Sequence, residues 1–331
     1  MSVLLIESFE KKITKSCVSA HARNSLIISE ILDCDLISHY REIPKVVKKK
    51  YDHIVCCYSS NYMQFKEYYP IIDNNKDAEF YWLLNDHHLT NNVLLKYPVN
   101  KYGRKYHVIS NNIQEGTKRL GDELNGKVIR DWIDKWHTVN LNCLMFSEGE
   151  RVREKGTIFD FPKADCIYYG TPRKDRIETM LKYNTCDYVL SITPRNIVKF
   201  HGYGVRPKRT VPNLTWVDKR EGLNRYKYSL YIEDTHTNTY YAFMANRFYE
   251  CMMCDVLLFY DRACINTVGK SGYNIDEYQM VSNGRELQKK IKELDSDNDT
   301  YEEILHRQRS NFPMILKEKK KVVRQLKNIL G

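Results

Sequence analysis

The chain has 331 residues, 42% of them hydrophobic, and its 52 basic and 42 acidic side chains give a net charge of +10. This length suits two domains with separate cores, and the absence of an eighteen-residue apolar run argues against a membrane span. The N-terminal segment MSVLLIESFEKK lacks the apolar core and the cleavage site of a signal peptide, so we expect a cytoplasmic protein.

The first half of the chain alternates predicted strands and helices. We predict helices over residues 23–32 and 113–124, and a late strand, LNCLMFS, over 141–147. The other predicted strands are apolar segments that end in small or polar residues, namely VLLIE (3–7), DLISH (35–39), DHIVCCYSS (52–60), EFYWLLND (79–86) and KYHVISNN (105–112). Such segments are typical of a doubly wound parallel sheet, whose ligands bind beyond the carboxyl ends of the strands.

The charged segment 148–155, followed by Gly156, marks the predicted domain boundary. The alternation of strands and helices then restarts. Its segments are the strand CIYYG (166–170), the loop and helix TPRKDRIETMLKY (171–183), the strand and turn NIVKFHGYG (196–204), the strand in YKYSLYIED (226–234), and the strand–helix unit YQMVSNGRELQKKIKEL (278–294). The apolar stripe from Ile315 to Leu330 predicts an amphipathic C-terminal helix.

The stretch from Tyr240 to Asp261 is predicted to be an amphipathic helix that leads into the buried strand VLLFY. Arg247 and Glu250 lie three residues apart in this helix and therefore share one face. A cation and an anion at the edge of a strand–helix unit suit a ligand that carries both phosphates and hydroxyls. An exposed salt bridge between the two side chains explains the same pair without any function.

The ten cysteines are scattered, and Cys56 and Cys57 are adjacent within a predicted strand, which favours reduced, buried thiols over a disulfide framework. Cys251 and Cys254 form a single CxxC on a helix, which we interpret as core packing rather than a zinc site. Two Asp-x-Asp spacings, Asp33 with Asp35 and Asp295 with Asp297, are interpreted as turn residues. No metal site is therefore predicted.

Several of these stretches, taken in order, resemble the bacteriophage DNA β-glucosyltransferase family, which transfers glucose from UDP-glucose to 5-hydroxymethylcytosine in duplex DNA. FYWLLND is similar to the strand that ends in the family's catalytic aspartate, and KYHVISNN to the strand that follows. IYYGTPRKDRIE resembles its glycine turn with two phosphate-binding arginines, and ANRFYECMMCDVLLFYD its arginine-x-x-glutamate donor helix. YQMVSNGRELQKKIKEL resembles its next strand–helix unit. The two phosphate-side arginines are one residue closer here, and His87, His88 and the region 202–220 depart from the family pattern.

The resemblance implies an α/β fold of the GT-B architecture. In it, two Rossmann-like, doubly wound domains face a cleft, and a C-terminal helix crosses back to the first domain. The expected limits are 1–155 for an acceptor (DNA) domain, 156–310 for a nucleotide-sugar donor domain, and 311–331 for the returning helix. We expect the protein to act as a monomer.

The resemblance also assigns roles to individual residues. Asp86 would be the base that deprotonates the acceptor hydroxyl, and helix capping is its structural alternative. The implied donor-binding residues are Gly170, Arg173, Arg176, Arg247 and Glu250. The arginines would bind phosphates, the glutamate ribose hydroxyls, and the glycine would allow close backbone approach. No tightly bound cofactor is expected; the co-substrate is a nucleotide-sugar, UDP-glucose in the first place, and stimulation by a divalent cation stays open.

Double-stranded DNA with a modified pyrimidine is the expected acceptor, and its target base would have to be flipped out of the duplex. The net charge of +10 fits this partner. The expected acceptor- and DNA-binding residues are His87, His88, Lys48, Lys49, Lys101 and Arg104. Tyrosines lie between the basic residues and could stack on bases, while a solvated basic face is the alternative.

Together these features predict a glycosyltransferase that moves a sugar from a nucleotide-sugar to a 5-hydroxymethyl pyrimidine in phage DNA, in the host cytoplasm. Two alternatives stay open. One is a GT-B glycosyltransferase with a saccharide or protein acceptor. The other is a non-catalytic, Rossmann-like protein that binds nucleotides or nucleic acid.

Overall fold

The computed structural model describes residues 1–7, 20–57, 66–84, 93–113, 132–146, 163–170, 173–191, 194–211, 222–241 and 243–331. The chain divides into two compact units, Met1–Met145 with Lys319–Gly331, and Phe146–Glu318. The predicted domain limits and the roles of the two domains stay predictions. Within the described stretches, no helix is long and apolar enough to cross a membrane.

The first unit contains a six-stranded sheet with parallel strands throughout. The strands are β1 (Val3–Ile6), β2 (Asp35–Ile37), β3 (His53–Cys57), β4 (Glu79–Leu84), β5 (Tyr106–Ser110) and β6 (Ile133–Thr138), in the order β2-β1-β3-β4-β5-β6. The helices are α1 (Ala20–Leu32), α2 (Ile43–Val46), α3 (Tyr69–Asn74) and α4 (Val93–Tyr102). Strands β1 and β3 are buried along their whole length, as expected for parallel strands covered on both faces.

The second unit contains another parallel six-stranded sheet. Its strands are β7 (Lys163–Tyr169), β8 (Tyr188–Ser191), β9 (Arg209–Val211), β10 (Tyr226–Tyr231), β11 (Leu257–Asp261) and β12 (Met280–Val281), in the order β12-β11-β10-β7-β8-β9. Its helices are α5 (Lys174–Leu181), α6 (Pro194–Gly202), α7 (Thr235–Tyr240), α8 (Asn246–Met253), α9 (Ile265–Ser271), α10 (Gly284–Ser296) and α11 (Asn298–Arg309).

The last helix, α12 (Phe312–Leu330), begins in the second unit and ends in the first. Near its end, the carbonyl of Ile329 accepts a 3.1 Å hydrogen bond from the Tyr81 hydroxyl of β4. Val322, Leu326 and Leu330 are buried at helical spacing, so the predicted apolar stripe is the packed face of this helix.

The order of strands in the second sheet creates a switch point between β7 and β10. The chain enters at β7, adds β8 and β9 on one side, and returns to add β10 on the other side of β7. In open α/β sheets, ligands bind beyond the carboxyl ends of the strands at such a point. Gly170 follows β7 there, and Glu233 and Asp234 lie two and three residues beyond the end of β10.

The structure confirms the predicted doubly wound α/β class and most strands, but the predicted strand over 196–204 is wrong. That segment forms most of α6, with Pro194 at its first residue, a position that proline favours. Ile197 packs against the core, Phe200 is fully buried and Val198 is exposed, which is helical spacing rather than strand alternation.

The predicted strand over 141–147 is also wrong. Leu141–Met145 is a buried 3-10 helix, whose first N–H donates to the side-chain Oδ1 of Asn111 at 2.8 Å. The neighbouring strand is instead β6, whose sequence IDKWHT has no apolar run and whose side chains are partly exposed at the sheet edge. The predicted helix over 113–124 lies, from residue 114 onward, outside the described residues.

The nine cysteines that the structure describes are free thiols, and all but Cys34 are buried. Burial raises the pKa of the Cys251 thiol to about 12, so it stays protonated and unreactive at neutral pH. The interpretation of Cys251 and Cys254 as core residues fits both observations.

Gly284, at the start of α10, packs against the turn that follows α5. A Cβ at residue 284 would lie 2.7 Å from Thr185 Oγ1 and 3.0 Å from the backbone N of Cys186. We expect Gly284→Ala to lower the free energy of unfolding by about 1–3 kcal/mol, because backbone atoms must move. Gly269→Ala is the control, because Gly269 is exposed on α9 and no atom lies within 4 Å of the new Cβ. It should raise the free energy of unfolding by about 0.5–1 kcal/mol. Denaturant unfolding measures both, and equal effects would contradict this packing.

Candidate functional site

Charged side chains of both signs meet at the switch point of the second sheet. The group contains three arginines and three carboxylates, namely Arg173, Arg176, Arg247, Glu233, Asp234 and Glu250. The first two belong to the start of α5, the two acidic residues 233 and 234 follow β10, and the remaining pair belongs to α8. Arg173 is half-buried, and the other five residues are buried. We call this group the charged cluster.

Glu233 bridges two buried arginines, one with each oxygen. Its Oε2 accepts from Arg176 Nη2 at 2.5 Å, and its Oε1 accepts from Arg247 Nη1 at 2.7 Å. The three side chains are at most 8% exposed. Because one carboxylate binds both guanidinium groups, it ties Arg176 Nη2 and Arg247 Nη1 to a common partner.

Asp234 joins the two arginines at the start of α5, Arg173 and Arg176, to helix α7. Its Oδ2 accepts from Arg173 Nη1 at 2.6 Å and from Arg176 Nη2 at 2.9 Å. Its Oδ1 accepts from the backbone N of Thr237 at 2.8 Å, which caps α7. Burial opposes ionisation of this carboxyl, but Arg176 and Arg173 outweigh that effect and lower the pKa of Asp234. It is therefore ionised at neutral pH.

Arg247 is held by backbone and aromatic groups as well as by Glu233. Its Nη1 donates to the carbonyl of Ile232 at 2.9 Å, and its Nε and Nη2 donate to the carbonyl of Tyr169. The guanidinium carbon lies 4.9 Å from the ring centre of Tyr168 and 5.0 Å from that of Tyr169, within cation–π range. Burial opposes the charge, but Glu233 outweighs it and raises the pKa of Arg247.

Glu250 contacts the same strand end as Arg247. The hydroxyl of Tyr169 donates to Glu250 Oε2 at 2.8 Å, and burial raises the pKa of Tyr169, so this phenol remains a donor. Both helix residues therefore face the last residue of β7. The alternative of an exposed salt bridge between them does not hold, because both are buried and the ion pair of Arg247 is with Glu233.

Gly170 lets the two arginines approach the backbone closely. A Cβ at this residue would lie 2.8 Å from Arg247 Nη2 and 3.2 Å from Arg176 Nη1. These are the guanidinium nitrogens that do not bind Glu233, so two donors converge on the backbone turn after β7. The buried arginines cannot swing aside, so this close approach requires glycine. Guanidinium nitrogens around a backbone turn are well suited to bind phosphate oxygens.

The structure brings together the five residues predicted for the donor, Gly170, Arg173, Arg176, Arg247 and Glu250. Sequence reasoning did not single out Glu233 and Asp234, although it placed a strand within YKYSLYIED (226–234). The rule that ligands bind beyond the carboxyl ends of parallel strands would have found both residues. Asp86, His87 and His88 lie outside the described residues, immediately beyond the part of the chain where β4 ends.

The basic residues predicted to bind DNA lie near the amino ends of strands in the first sheet. Lys48 and Lys49 precede β3, and Lys101 and Arg104 precede β5, whereas ligands of such sheets bind at the carboxyl ends. Three of them form ion pairs: Lys49 with Asp35 at 2.8 Å, Lys101 with Asp73 at 2.9 Å, and Arg104 with Asp77 at 3.4 Å. Their role in DNA binding stays a prediction.

Among the described residues, no group of three or more His, Cys, Asp or Glu side chains is arranged to hold a metal ion. The two Asp-x-Asp pairs have other partners. Asp35 accepts from Lys49 and Tyr51, while Asp295 accepts from Lys227 and Tyr228. Asp297 caps the start of α11.

No protein-family model and no curated protein sequence matches this chain. Among solved structures, T4 phage BGT (β-glucosyltransferase) in complex with its UDP-glucose substrate matches with a TM-score of 0.70 and 16% identity over 100% of both chains. T4 phage BGT in complex with UDP and Mn2+ matches with a TM-score of 0.66 and 14% identity, again over 100% of both chains. An α-glucosyltransferase in complex with UDP-glucose and DNA containing an abasic site matches with 0.58 and 12% identity over 98% of each chain.

At these identities the matches establish the fold. The chain has the GT-B fold of the phage glucosyltransferases, and the resemblance inferred from the sequence is confirmed at the level of structure.

Replacing Gly170 tests whether the space beside it binds the ligand. We expect Gly170→Ala to weaken UDP binding at least tenfold, because the new methyl group occupies the point where Arg176 Nη1 and Arg247 Nη2 converge. Gly202→Ala, at the end of α6 with no atom within 4 Å of the new Cβ, is the control. Calorimetry with UDP measures both variants, and unchanged affinity in Gly170→Ala would place the nucleotide elsewhere.

Proposed function

We propose that this chain is a glycosyltransferase that binds a nucleotide-sugar at the charged cluster and transfers its sugar to a hydroxymethylated pyrimidine in DNA. The observation that carries this proposal is the convergence of Arg176 and Arg247 on Gly170 at the switch point of the second sheet. The fold supports it, because matching structures hold UDP-glucose, UDP or DNA, and one is described as a DNA-modifying enzyme.

The arginines would act on the departing diphosphate. As the bond between the sugar and the diphosphate breaks, negative charge accumulates on the diphosphate oxygens. Arg176 Nη1 and Arg247 Nη2, which flank Gly170, are placed to donate to these oxygens. Arg173 is the most exposed of the three arginines and can extend the contact outward. Donors fixed in advance in a buried site stabilise developing charge more than they stabilise the ground state.

Glu250 would bind the ribose of the nucleotide. A carboxylate can accept from both ribose hydroxyls, and its present donor, the Tyr169 hydroxyl, keeps it oriented at the end of β7. Ribose at Glu250 and phosphates at Gly170 would lie along one strand end, as a nucleotide requires. UDP-glucose is the donor that best fits this arrangement together with the fold matches.

Asp86 would take the proton from the acceptor hydroxyl. The oxygen so activated attacks the anomeric carbon, the bond from that carbon to the diphosphate oxygen breaks, and the nucleoside diphosphate leaves with the electron pair. A single displacement of this kind inverts the anomeric configuration. The support for this role is that Asp86 follows β4 by two residues in the sequence, and ligands of a parallel sheet bind beyond the carboxyl ends of its strands.

The net charge of +10 supports a polyanionic acceptor, and a reaction on phage DNA would take place in the host cytoplasm. His87 and His88, next to the proposed base, would contact the acceptor. A divalent cation could assist departure of the diphosphate, as the matching complex with UDP and Mn2+ suggests.

The experiment that tests the function is mass analysis of nucleosides from hydroxymethylated DNA after incubation with several nucleotide-sugars. The proposal predicts a hexose added to the hydroxymethyl pyrimidine and release of free nucleoside diphosphate. Release of diphosphate without modified DNA would identify another acceptor, such as a saccharide or protein. Nucleotide binding with neither product would identify a non-catalytic binding protein.

The variant Asp86→Asn distinguishes two roles of the Asp86 side chain, a catalytic base and a helix cap. Asparagine caps a helix as well as aspartate does but cannot accept the proton, so we expect turnover to fall by about 10²–10⁴-fold with nearly unchanged UDP affinity. Glu67→Gln, which changes an exposed carboxylate in the same unit, is the control and should retain full turnover. Near-normal turnover by Asp86→Asn would remove the assignment and make His87 and His88 the next candidates.

DNA binding by this protein should weaken steeply with salt. Each phosphate that a Lys or Arg neutralises contributes roughly −0.9 to the log–log slope of affinity against salt concentration, and UDP binding serves as the control. Lys48→Ala tests the amino edge of the first sheet; a slope reduced by roughly 0.9 would assign Lys48 to the DNA surface. A flat affinity of the unaltered protein between low and moderate salt would contradict a DNA acceptor.

A further inference from the structure

The steps of the proposed reaction leave two buried carboxylates of the site without a role, Glu233 and Asp234, and only Glu233 binds both arginines that flank Gly170. Glu233 lies beyond the end of β10 and is 7% exposed. A buried carboxylate between two donors needed for a phosphate could act in three ways. It could compete with the diphosphate, stabilise the fold alone, or hold the arginines in position.

The atoms involved favour positioning over competition. Glu233 binds Arg176 through Nη2 and Arg247 through Nη1. The nitrogens nearest the space beside Gly170 are the other two, Arg176 Nη1 and Arg247 Nη2. Arg176 Nη1 therefore lies beside Gly170 on the edge away from Glu233, and Arg247 Nη2 lies beside Gly170 while it also donates to the carbonyl of Tyr169. A ligand beside Gly170 would not need to displace the carboxylate.

The positioning role requires a glutamate at residue 233. Two carboxylate oxygens can each accept from a different arginine, and an ionised carboxylate accepts only, so neither oxygen repels a guanidinium. An amide of the same shape offers one oxygen and one NH2 group, which cannot accept from an arginine. A carboxylate on a side chain one methylene shorter keeps the charge but cannot span the same two contacts. Glutamate is thus the side chain that meets both requirements at residue 233.

We propose that Glu233 is a positioning residue of the donor site, which holds Arg176 and Arg247 at the spacing that a nucleoside diphosphate requires. This role rests on the proposed function, because it presumes that the two arginines bind the diphosphate. It predicts that Glu233 determines how strongly the site prefers a nucleoside diphosphate to a nucleoside monophosphate.

The test compares UDP and UMP binding by calorimetry in the full-length protein and in two variants, Glu233→Gln and Glu233→Asp. The quantity measured is the ratio of the UMP dissociation constant to that of UDP, which reports the contribution of the second phosphate. We expect this ratio to fall about tenfold or more in both variants, the size of one lost charge-assisted hydrogen bond. With UDP-glucose as the donor, kcat should fall along with the ratio.

Asp255→Asn is the matched control. Asp255 is 2% exposed, is paired with Arg309 Nε at 2.9 Å, and has a positive φ of 51°, which asparagine tolerates. This variant loses a buried carboxylate–arginine pair that is not part of the charged cluster. It should lower the melting temperature about as much as Glu233→Gln while leaving the UMP-to-UDP ratio unchanged.

Each other outcome overturns the proposal in a distinct way. A ratio unchanged in Glu233→Gln, with lowered melting temperature, would make Glu233 a purely structural residue. A raised ratio in Glu233→Gln, with a normal ratio in Glu233→Asp, would make it a competitor of the diphosphate through its charge. A ratio near one in the unaltered protein would remove the arginines from phosphate binding, and with them the role of Glu233. Failure to bind any uridine nucleotide would overturn the proposed function itself.

Discussion

The candidate site depends on the burial of opposite charges together. Arg247 cannot lose its proton in a protein, so its burial beneath α8 is possible only because Glu233 and two backbone carbonyls receive its hydrogen bonds. Removing one member of such a pair leaves an uncompensated charge and costs about 3–5 kcal/mol. The carboxylates beyond β10 therefore fix the arginines before any ligand is present. The same coupling makes truncation of Arg247 a poor probe of binding, because it also removes the arginine that binds Glu233 Oε1.

The topology of the sheet explains why these groups meet. β7 and β10 are adjacent in space but separated in sequence by β8, β9 and their helices. The chain leaves β7 toward α5, which supplies Arg176, and leaves β10 toward α7, whose cap is Asp234. Helix α8 then returns over the same edge and adds Arg247. A site built from three separate connections is positioned by the rigid sheet beneath it rather than by one flexible loop.

Much of this arrangement could be predicted from the sequence, because buried parallel strands are continuous apolar runs with polar ends. That signal located β1, β3, β4, β5, β7 and β11, and helical spacing located α8 and α12. The same signal failed for 196–204, because a short apolar segment is compatible with a strand or a helix. The packing of Phe200 into the core determines that this segment is helical. The signal failed again at β6, an edge strand whose side chains need not be apolar.

Within the site, the resemblance to the phage enzymes pointed to Gly170, Arg173 and Arg176, and the shared helix face pointed to Arg247 and Glu250. Glu233 carried neither signal. Its importance follows from the pairing of β10 with β7, which a linear pattern does not contain. Asp234 was missed for the same reason, since a carboxylate after a strand reads as a helix cap, and here it is also an arginine partner.

The candidate site predicts that the diphosphate of a nucleotide binds beside Gly170, between Arg176 and Arg247. A crystal structure of the protein with UDP tests this directly. We expect diphosphate oxygens within hydrogen-bonding distance of Arg176 Nη1 and Arg247 Nη2, ribose hydroxyls at Glu250, and Glu233 still bound to both arginines. UDP bound away from Gly170, or a diphosphate that contacts neither arginine, would contradict it.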